Sequence, residues 1–303
     1  MEEILVSVVC TAYNHENYIR EALEGFIKQK TNFKFEVLVH DDASTDKTAD
    51  IIREYEQKYP DMIKGIYQTE NQYSKGVKIL FKYLFPAARG KYFAWCEGDD
   101  FWSYKYKLQE QVDYMEAHPE CAICCHAANL VNEQGNIITK LRPYSRSTTF
   151  NIETFFDRQV NYPTASLMLT NKIKNKCPDF YKNAPVGDIP ITLYCLTKGN
   201  GYYIDKIMSS YRTGVDSSWT STHRTPEKKI HHYEQMKQMY IEFQEYTKYK
   251  YKDIINKHID ILDMYTLISS KKEKEAKKKY PQYYKKRKLC GKIKYKIRRL
   301  LGW

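Results

Sequence analysis

The sequence predicts an α/β protein, an open and mostly parallel sheet flanked by helices, with a helical extension at its C-terminal end. Three observations predict it. Short apolar runs alternate with amphipathic stretches up to about residue 140, the pattern of strands joined by right-handed helical crossovers. Three of those runs end in polar or acidic residues, at Thr11, at Asp41 and Asp42, and at Glu97 to Asp100, where an open sheet presents its ligand site. From Pro226 to Ser270 the chain is amphipathic and carries no internal Pro or Gly, so it reads as helical.

The elements follow in order. ILVSVVCTAY (4–13) is a continuous apolar run that turns polar, the signature of a buried parallel strand. ENYIREALEGFIKQK places Ile19, Leu23, Phe26 and Ile27 at helical spacing. FEVLVHDD (35–42) is the second strand, and Ser44 and Asp46 then offer caps to a helix in TADIIREYEQKY. MIKGIYQ reads as a strand, GVKILFKYLFPAA as a helix broken at Pro86, KYFAWC as a strand, and YKLQEQVDYMEAH as a helix stopped by Pro119. CAICCHAANLV and GNIITKL are strands. Beyond residue 140 the alternation weakens: NIETFFDRQ and IPITLYCLTKG read as helices, ASLMLT and GYYIDKIMSSYR as strands.

Composition narrows the function classes. The 303 residues, 42% hydrophobic, are enough for one large α/β domain or two smaller ones. No apolar run reaches membrane-spanning length, and the acidic N-terminus shows no signal-peptide pattern. Most of the eight cysteines sit inside apolar runs, as reduced, buried thiols of a cytosolic protein do; Cys121-x-x-Cys124-Cys125 lacks a second ligand pair for zinc. The net charge of +12 is concentrated in residues 271–303, which hold 15 Lys/Arg against 2 Glu. The rest of the chain is near neutral, so basicity belongs to a tail and not to a nucleic-acid-binding domain. In that tail LCGKIKYKIRRLLGW sets Leu289, Ile293, Ile297, Leu300 and Leu301 on one helical face and Lys/Arg on the other, the composition of a helix lying on anionic lipid; a solvated basic tail, a nucleic-acid patch and a protein-binding segment are the alternatives.

The stretch WCEGDDFW (95–102) concentrates the chemistry. Paired carboxylates at a strand end bind a divalent cation, and a site with so few protein ligands implies substrate phosphates as the others. Helix capping by Asp99 and Asp100 explains the same residues equally well at this level. No strand is followed by a dinucleotide fingerprint or a P-loop.

Several stretches in sequence resemble a family 2 glycosyltransferase: VSVVCTAYNHENYIREAL, VLVHDDASTDKT, ARGKYFAWCEGDDFW, KLQEQVDYMEAHP, VGDIPITLYCLTKG and SSYR. The resemblance covers roughly residues 4–215. It implies a GT-A fold, a Rossmann-like nucleotide-binding sheet over about 1–130 and an acceptor part over about 131–220, followed by a helical extension (221–270) and the basic tail (271–303). It implies that Thr11, Ala12 and Tyr13 line a nucleotide pocket and that Asp42, with Asp41, contacts the base of a uridine-type nucleotide. Asp99 would face the ribose or share the metal. Asp100 would ligate Mn2+ or Mg2+ at the diphosphate, and Asp188 would be the general base of an inverting transfer. Asn71 is a candidate lining residue. Arg212 is a candidate diphosphate ligand and Trp219 a candidate sugar-stacking residue. YRTGVDSSW lacks the His that often follows this motif, and Glu97 replaces the first Asp common there.

The implied activity is metal-dependent transfer of a sugar, from a nucleotide-diphosphate donor of the UDP type to a saccharide or lipid-linked hydroxyl, in surface polysaccharide or glycan synthesis. The implied location is cytoplasmic, peripheral at the inner membrane face through 285–303, with no nucleic-acid partner. Two rivals stay open. A nucleotidyltransferase acting on sugar phosphates is opposed by the missing glycine- and lysine-rich phosphate loop. A catalytically inactive, membrane-associated homologue is opposed by the intact Asp42, Asp99, Asp100 and Asp188.

Overall fold

The computed structural model describes residues 3–158, 162–214 and 225–287. They fall into two compact units, one within Met1–Pro178 and Val186–Thr222, the other within Asp179–Pro185 and His223–Trp303.

The first unit is an α/β domain on a single sheet, as predicted. The four early apolar runs form β1 (Ile4–Ala12), β2 (Lys34–Asp41), β3 (Ile63–Tyr67) and β4 (Tyr92–Glu97), parallel in the order β3-β2-β1-β4. Val6, Val8, Cys10, Val37, Val39, Ala94 and Cys96 join Ile19, Leu23 and Phe26 of helix α1 (Ile19–Ile27) in one fully buried cluster. Each such aliphatic side chain contributes about 1.5–3 kcal/mol by leaving water. The remaining strands are β5 (Phe101–Trp102), β6 (Cys121–Val131), β7 (Ile137–Leu141), β8 (Thr148–Phe150), which helix α5 (Ile152–Arg158) follows, β9 (Met168–Thr170) and β10 (Asn200–Arg212). Strand β9 sits antiparallel between β4 and β6, β10 runs parallel to β6, and β7 folds back on β6 as an exposed hairpin arm. Strands β5 and β8 lie antiparallel on β10. Cys121, Cys124 and Cys125 are buried in β6, and burial pushes their thiols up.

At the amino ends of the strands a buried polar network fixes the sheet. Ser7 donates to Glu36 Oε1 at 2.7 Å and accepts from the Gly90 N–H at 2.9 Å. Arg89 donates to both Glu36 oxygens through its backbone N–H and Nε, each at 2.8 Å. A side chain at Gly90 would collide with the Ser7 backbone, so the glycine of ARGK permits this approach.

Two helical expectations are corrected. The helix in GVKILFKYLFPAA is not broken at Pro86. A wide π-type turn (Leu80–Leu84) runs straight into α3 (Phe85–Ala87), which contains that proline. The wider winding gives the ring room that an α-turn denies it. Ser44 does not cap α2 (Thr48–Lys58); its hydroxyl accepts the Asn14 N–H, and Asp46 alone receives the Thr48 N–H.

In the second unit α6 (Asp179–Lys182) precedes two long helices, α8 (Pro226–Tyr246) and α9 (Lys252–Ser269). The continuous helix expected over 226–270 is thus divided. Lys248 and Tyr249 adopt left-handed φ of 52° and 59°, and the Tyr249 N–H closes the turn on Gln244 O at 2.7 Å. Non-glycine residues occupy a capping conformation that glycine usually takes, which is why no breaker marks it. Phe180 packs edge-on against Phe243, 5.1 Å between centroids. Part of the basic segment is folded here: helix α10 (Glu273–Lys279) and a helical turn at 281–287 bury Ala276, Tyr280 and Tyr284 with Met264. The amphipathic stretch 289–301 lies outside the described residues. No described helix is long and apolar enough to cross a membrane.

One charged group in the sheet domain lies wholly out of water. Lys107, in α4 (Lys107–Ala117), is 0% exposed, 4.0 Å from the Trp102 ring centre, and donates to Gln111 Oε1 at 2.9 Å. Burial pushes its ammonium down to about 7. Between that value and an unfolded lysine's, the unfolded chain binds more protons, so this group makes stability climb as pH rises from 7 to about 10. Urea unfolding of wild type and Lys107→Met across that range should show the rise in wild type and a flatter profile in the variant.

Candidate active site

The carboxyl ends of β2, β1 and β4 lie side by side. Ala12 is in register with Asp41, and Thr11 with both His40 and Glu97. The Asp42 N–H donates to Ala12 O and the Gly98 N–H to Thr11 O, each at 2.9 Å. This edge brings together Thr11, Ala12, Asp41, Asp42 and the acidic motif, with Tyr13 just beyond β1 and 38% exposed. The loops after β1 and β2 are laced to each other. Asn14 Oδ1 accepts the Thr45 N–H at 2.8 Å, Asp46 Oδ2 accepts the Glu16 N–H at 3.0 Å, and Thr48 Oγ1 accepts the His15 N–H at 2.8 Å. Asn14 and Ala43 hold left-handed φ of 54° and 61°, backbone strain concentrated at this edge.

Asp42 is engaged by the chain. Its two oxygens accept the Gln72 and Tyr73 N–H groups at 2.8 and 2.9 Å, and its carbonyl accepts Asn71 Nδ2 at 3.3 Å. Asn71 Oδ1 receives the Ser74 N–H at 2.7 Å. Both residues hold the 71–76 loop over the strand ends. Tyr73, 65% exposed, projects from that loop. Asp41 Oδ2 accepts the Ser44 N–H at 3.2 Å, while its buried Oδ1 has no hydrogen-bond partner among the described residues.

The acidic motif turns tightly: the Asp100 N–H returns to Glu97 O at 3.1 Å. A Cβ at Gly98 would stand 2.9 Å from His15 Nδ1 and from Ile19 Cδ1, so the glycine lets the turn press against the loop after β1. Asp100 is 1% exposed. Its Oδ1 accepts the Arg212 backbone N–H at 2.8 Å, and its buried Oδ2 has no partner among the described residues. Burial first, then the neighbouring Asp99 and Glu97 charges, raise its carboxyl well above the usual range. Glu97 is raised by burial, by Asp99 and by Asp188. Asp188 therefore lies within electrostatic reach of the motif. It opens α7 (Asp188–Leu196) directly after Gly187, and burial raises its carboxyl against the helix-terminal N–H groups that favour its charge.

Arg212 is not placed as a free diphosphate ligand. It is 3% exposed, and its guanidinium donates to Asp99 O (2.9 Å), Asn132 O (3.3 Å), Glu133 O (2.7 Å) and Glu21 Oε2 (2.6 Å). Sequence reasoning missed Glu21, an ordinary helix-face acid with no local signal. Trp102, the other aromatic flank of the motif, is core: its indole donates to Ala165 O at 2.9 Å and it packs edge-on against Phe26. Trp219 lies outside the described residues.

The donor set suits a hard divalent cation shared with substrate oxygens. Among the described residues no three or more His, Cys, Asp or Glu form a metal cluster by themselves. Asp100 Oδ2 is nevertheless an orphaned, buried carboxylate oxygen beside two further acids, and one or two carboxylates plus phosphate oxygens are how Mg2+-type ions are held.

The sequence profile that matches is Glycosyl transferase family 2, over residues 7–175. The chain belongs to that family. The match runs from β1 to just past β9 and takes in the whole acidic edge, while Asp188 and Arg212 follow it. An uncharacterized protein of Mycobacterium tuberculosis is 35% identical over 222 residues, 72% of this chain and 61% of its own length. The chain thus spans less than two thirds of that relative. A UDP-Glc:α-D-GlcNAc-diphosphoundecaprenol β-1,3-glucosyltransferase of Escherichia coli is 33% identical over 112 residues, 37% of this chain and 41% of the enzyme. S. aureus TarS 1–349, solved in complex with UDP-GlcNAc, superposes with a TM-score of 0.61 at 19% identity, over 88% of this chain and 72% of TarS. The sheet domain therefore has the GT-A glycosyltransferase fold.

The tight turn of this family 2 member is open to a direct test. Gly98→Ala should cost about 1–3 kcal/mol in urea unfolding, because the new methyl overpacks His15 and Ile19.

Proposed function

We propose that the protein transfers a sugar, with inversion, from a UDP-type nucleotide-diphosphate donor to a hydroxyl of a saccharide or lipid-linked saccharide, in surface polysaccharide or glycan synthesis. The observation that carries this reading is the orphaned, buried Asp100 Oδ2 within a group of acids at the carboxyl ends of β1 and β4. Such an arrangement costs folding free energy unless a proton or a cationic ligand neutralises it. Family membership makes the reaction a glycosyl transfer. The donor reading is supported by the UDP-GlcNAc of the TarS complex and the UDP-Glc in the E. coli relative's name. That relative's diphosphoundecaprenol acceptor supports the lipid-linked alternative.

Asp100, with Asp99, would hold Mn2+ or Mg2+ against the diphosphate. A bound divalent cation supplies Lewis-acid neutralisation of the leaving nucleotide. The chain's own residues do the remaining work. Thr11, Ala12 and Tyr13 line the nucleoside side of the edge. Asp41 and Asp42 offer acceptors there, Asp42 by exchanging its bonds to the 71–76 loop. Asp188 takes the acceptor hydroxyl proton as the bond to the anomeric carbon forms. Its raised carboxyl suits a general base, being less acidic than an exposed aspartate. Peripheral attachment at the inner membrane face through 285–303 fits a lipid-linked acceptor.

Titration calorimetry with UDP, with and without Mn2+, tests the reading: metal-dependent binding is expected, and its absence overturns the proposal. Asp100→Asn should abolish that metal dependence. Asp188→Asn should bind UDP and Mn2+ normally yet lose about 10²–10⁴ in the rate of donor-dependent transfer. Since Asp188 acts deprotonated and its carboxyl is raised, wild-type kcat should fall as pH drops through a limb above the ordinary aspartate value.

A further inference from the structure

The Arg212 guanidinium makes four hydrogen bonds to the chain. Its backbone N–H holds Asp100 Oδ1 at 2.8 Å, and its Nε holds the Asp99 carbonyl at 2.9 Å. One terminal nitrogen grips the Asn132 and Glu133 carbonyls in the turn between β6 and β7, and the other pairs with Glu21 on α1. The guanidinium lies 4.8 Å from the Tyr18 ring centre and 5.3 Å from that of Phe101, so aromatic walls close it from water. Four separate segments meet on one buried side chain: α1, the acidic motif, the β6–β7 turn and the end of β10. The Arg212 guanidinium forms its ion pair with Glu21, a carboxylate outside the motif, while the charged form of Asp100 is favoured by the Arg212 backbone N–H and by the nearby charge.

We propose that Arg212 is the positioning residue of the acidic motif. It fixes Asp99 and Asp100 in the orientation that takes the cation, and it couples that orientation to the β6–β7 turn without touching the donor. The metal-binding part rests on the function proposed above; the clamp itself does not. The planar fork is the essential property, because four acceptors in different directions cannot be served by a single ammonium point charge. Arg212→Lys should therefore fail to rescue Arg212→Ala, although it keeps the charge.

The test uses the full chain and three variants, Arg212→Lys, Arg212→Ala and Glu21→Gln. In metal-free protein, hydrogen exchange should quicken in 97–102 and 132–136 in both Arg212 variants, while β1 stays protected as in wild type. In calorimetry, the Mn2+ concentration giving half-maximal UDP binding should rise about 10- to 100-fold, the usual cost of losing a partner that orients a metal ligand. UDP affinity without metal should not change. Glu21→Gln, which retains the fork, should move the same readouts in the same direction by less, and it serves if an Arg212 variant does not fold. Unchanged exchange in those two segments, or exchange raised everywhere alike, overturns the clamp. A loss of metal-free UDP affinity overturns it in favour of direct diphosphate contact. If wild type itself shows no metal-dependent UDP binding, the proposed function falls, and the exchange result still decides the clamp.

Discussion

The burial of Asp100 is the constraint that orders the site. A carboxylate taken out of water needs donors or counter-charge, and here it receives one backbone N–H on one oxygen and nothing on the other. The surroundings aggravate the need. Asp99 and Glu97 repel it, and Asp188 adds to the repulsion felt by Glu97. The fold tolerates this because the motif is gripped from outside by Arg212 and pressed against the loop after β1 through Gly98. Neighbouring carboxylates are treated differently: Asp42 and Asp46 each receive two backbone N–H groups and act as loop fasteners.

How much of this was legible in the sequence follows from the range of each interaction. Strands β1, β2 and β4 are legible because both faces are buried and the apolar runs are continuous; their polar endings are legible for the same reason, since they interrupt those runs. The acids gathered at this edge of the sheet are picked out in this way. Arg212 is legible as a residue but its partner Glu21 is not, because Glu21 is 191 positions away and ordinary in its own context. The bonds from the Asp42 carboxylate to the loop that begins at Asn71 are not legible in the sequence. No periodicity reports such a bond.

Local conformations without their usual residues were the other blind spot. The break between α8 and α9 is made by left-handed backbone at Lys248 and Tyr249, with no glycine or proline to mark it. Pro86, in contrast, promised a break and produced none, since a wider turn absorbed its ring. Both cases show backbone geometry set by packing around the segment overriding single-residue preference.

The two ends of the central strands carry acids of opposite fate. At the amino ends Glu36 meets an arginine of the chain and a serine, and its charge is settled when the protein folds. At the carboxyl ends the buried Arg212 pairs with Glu21, and burial together with mutual repulsion raises the carboxyls of Glu97 and Asp100. The sheet domain is thus a polarised object along its strand axis, sealed at one pole and electrically unfinished at the other. A cation that completed the second pole would add its binding free energy to the stability of the folded chain.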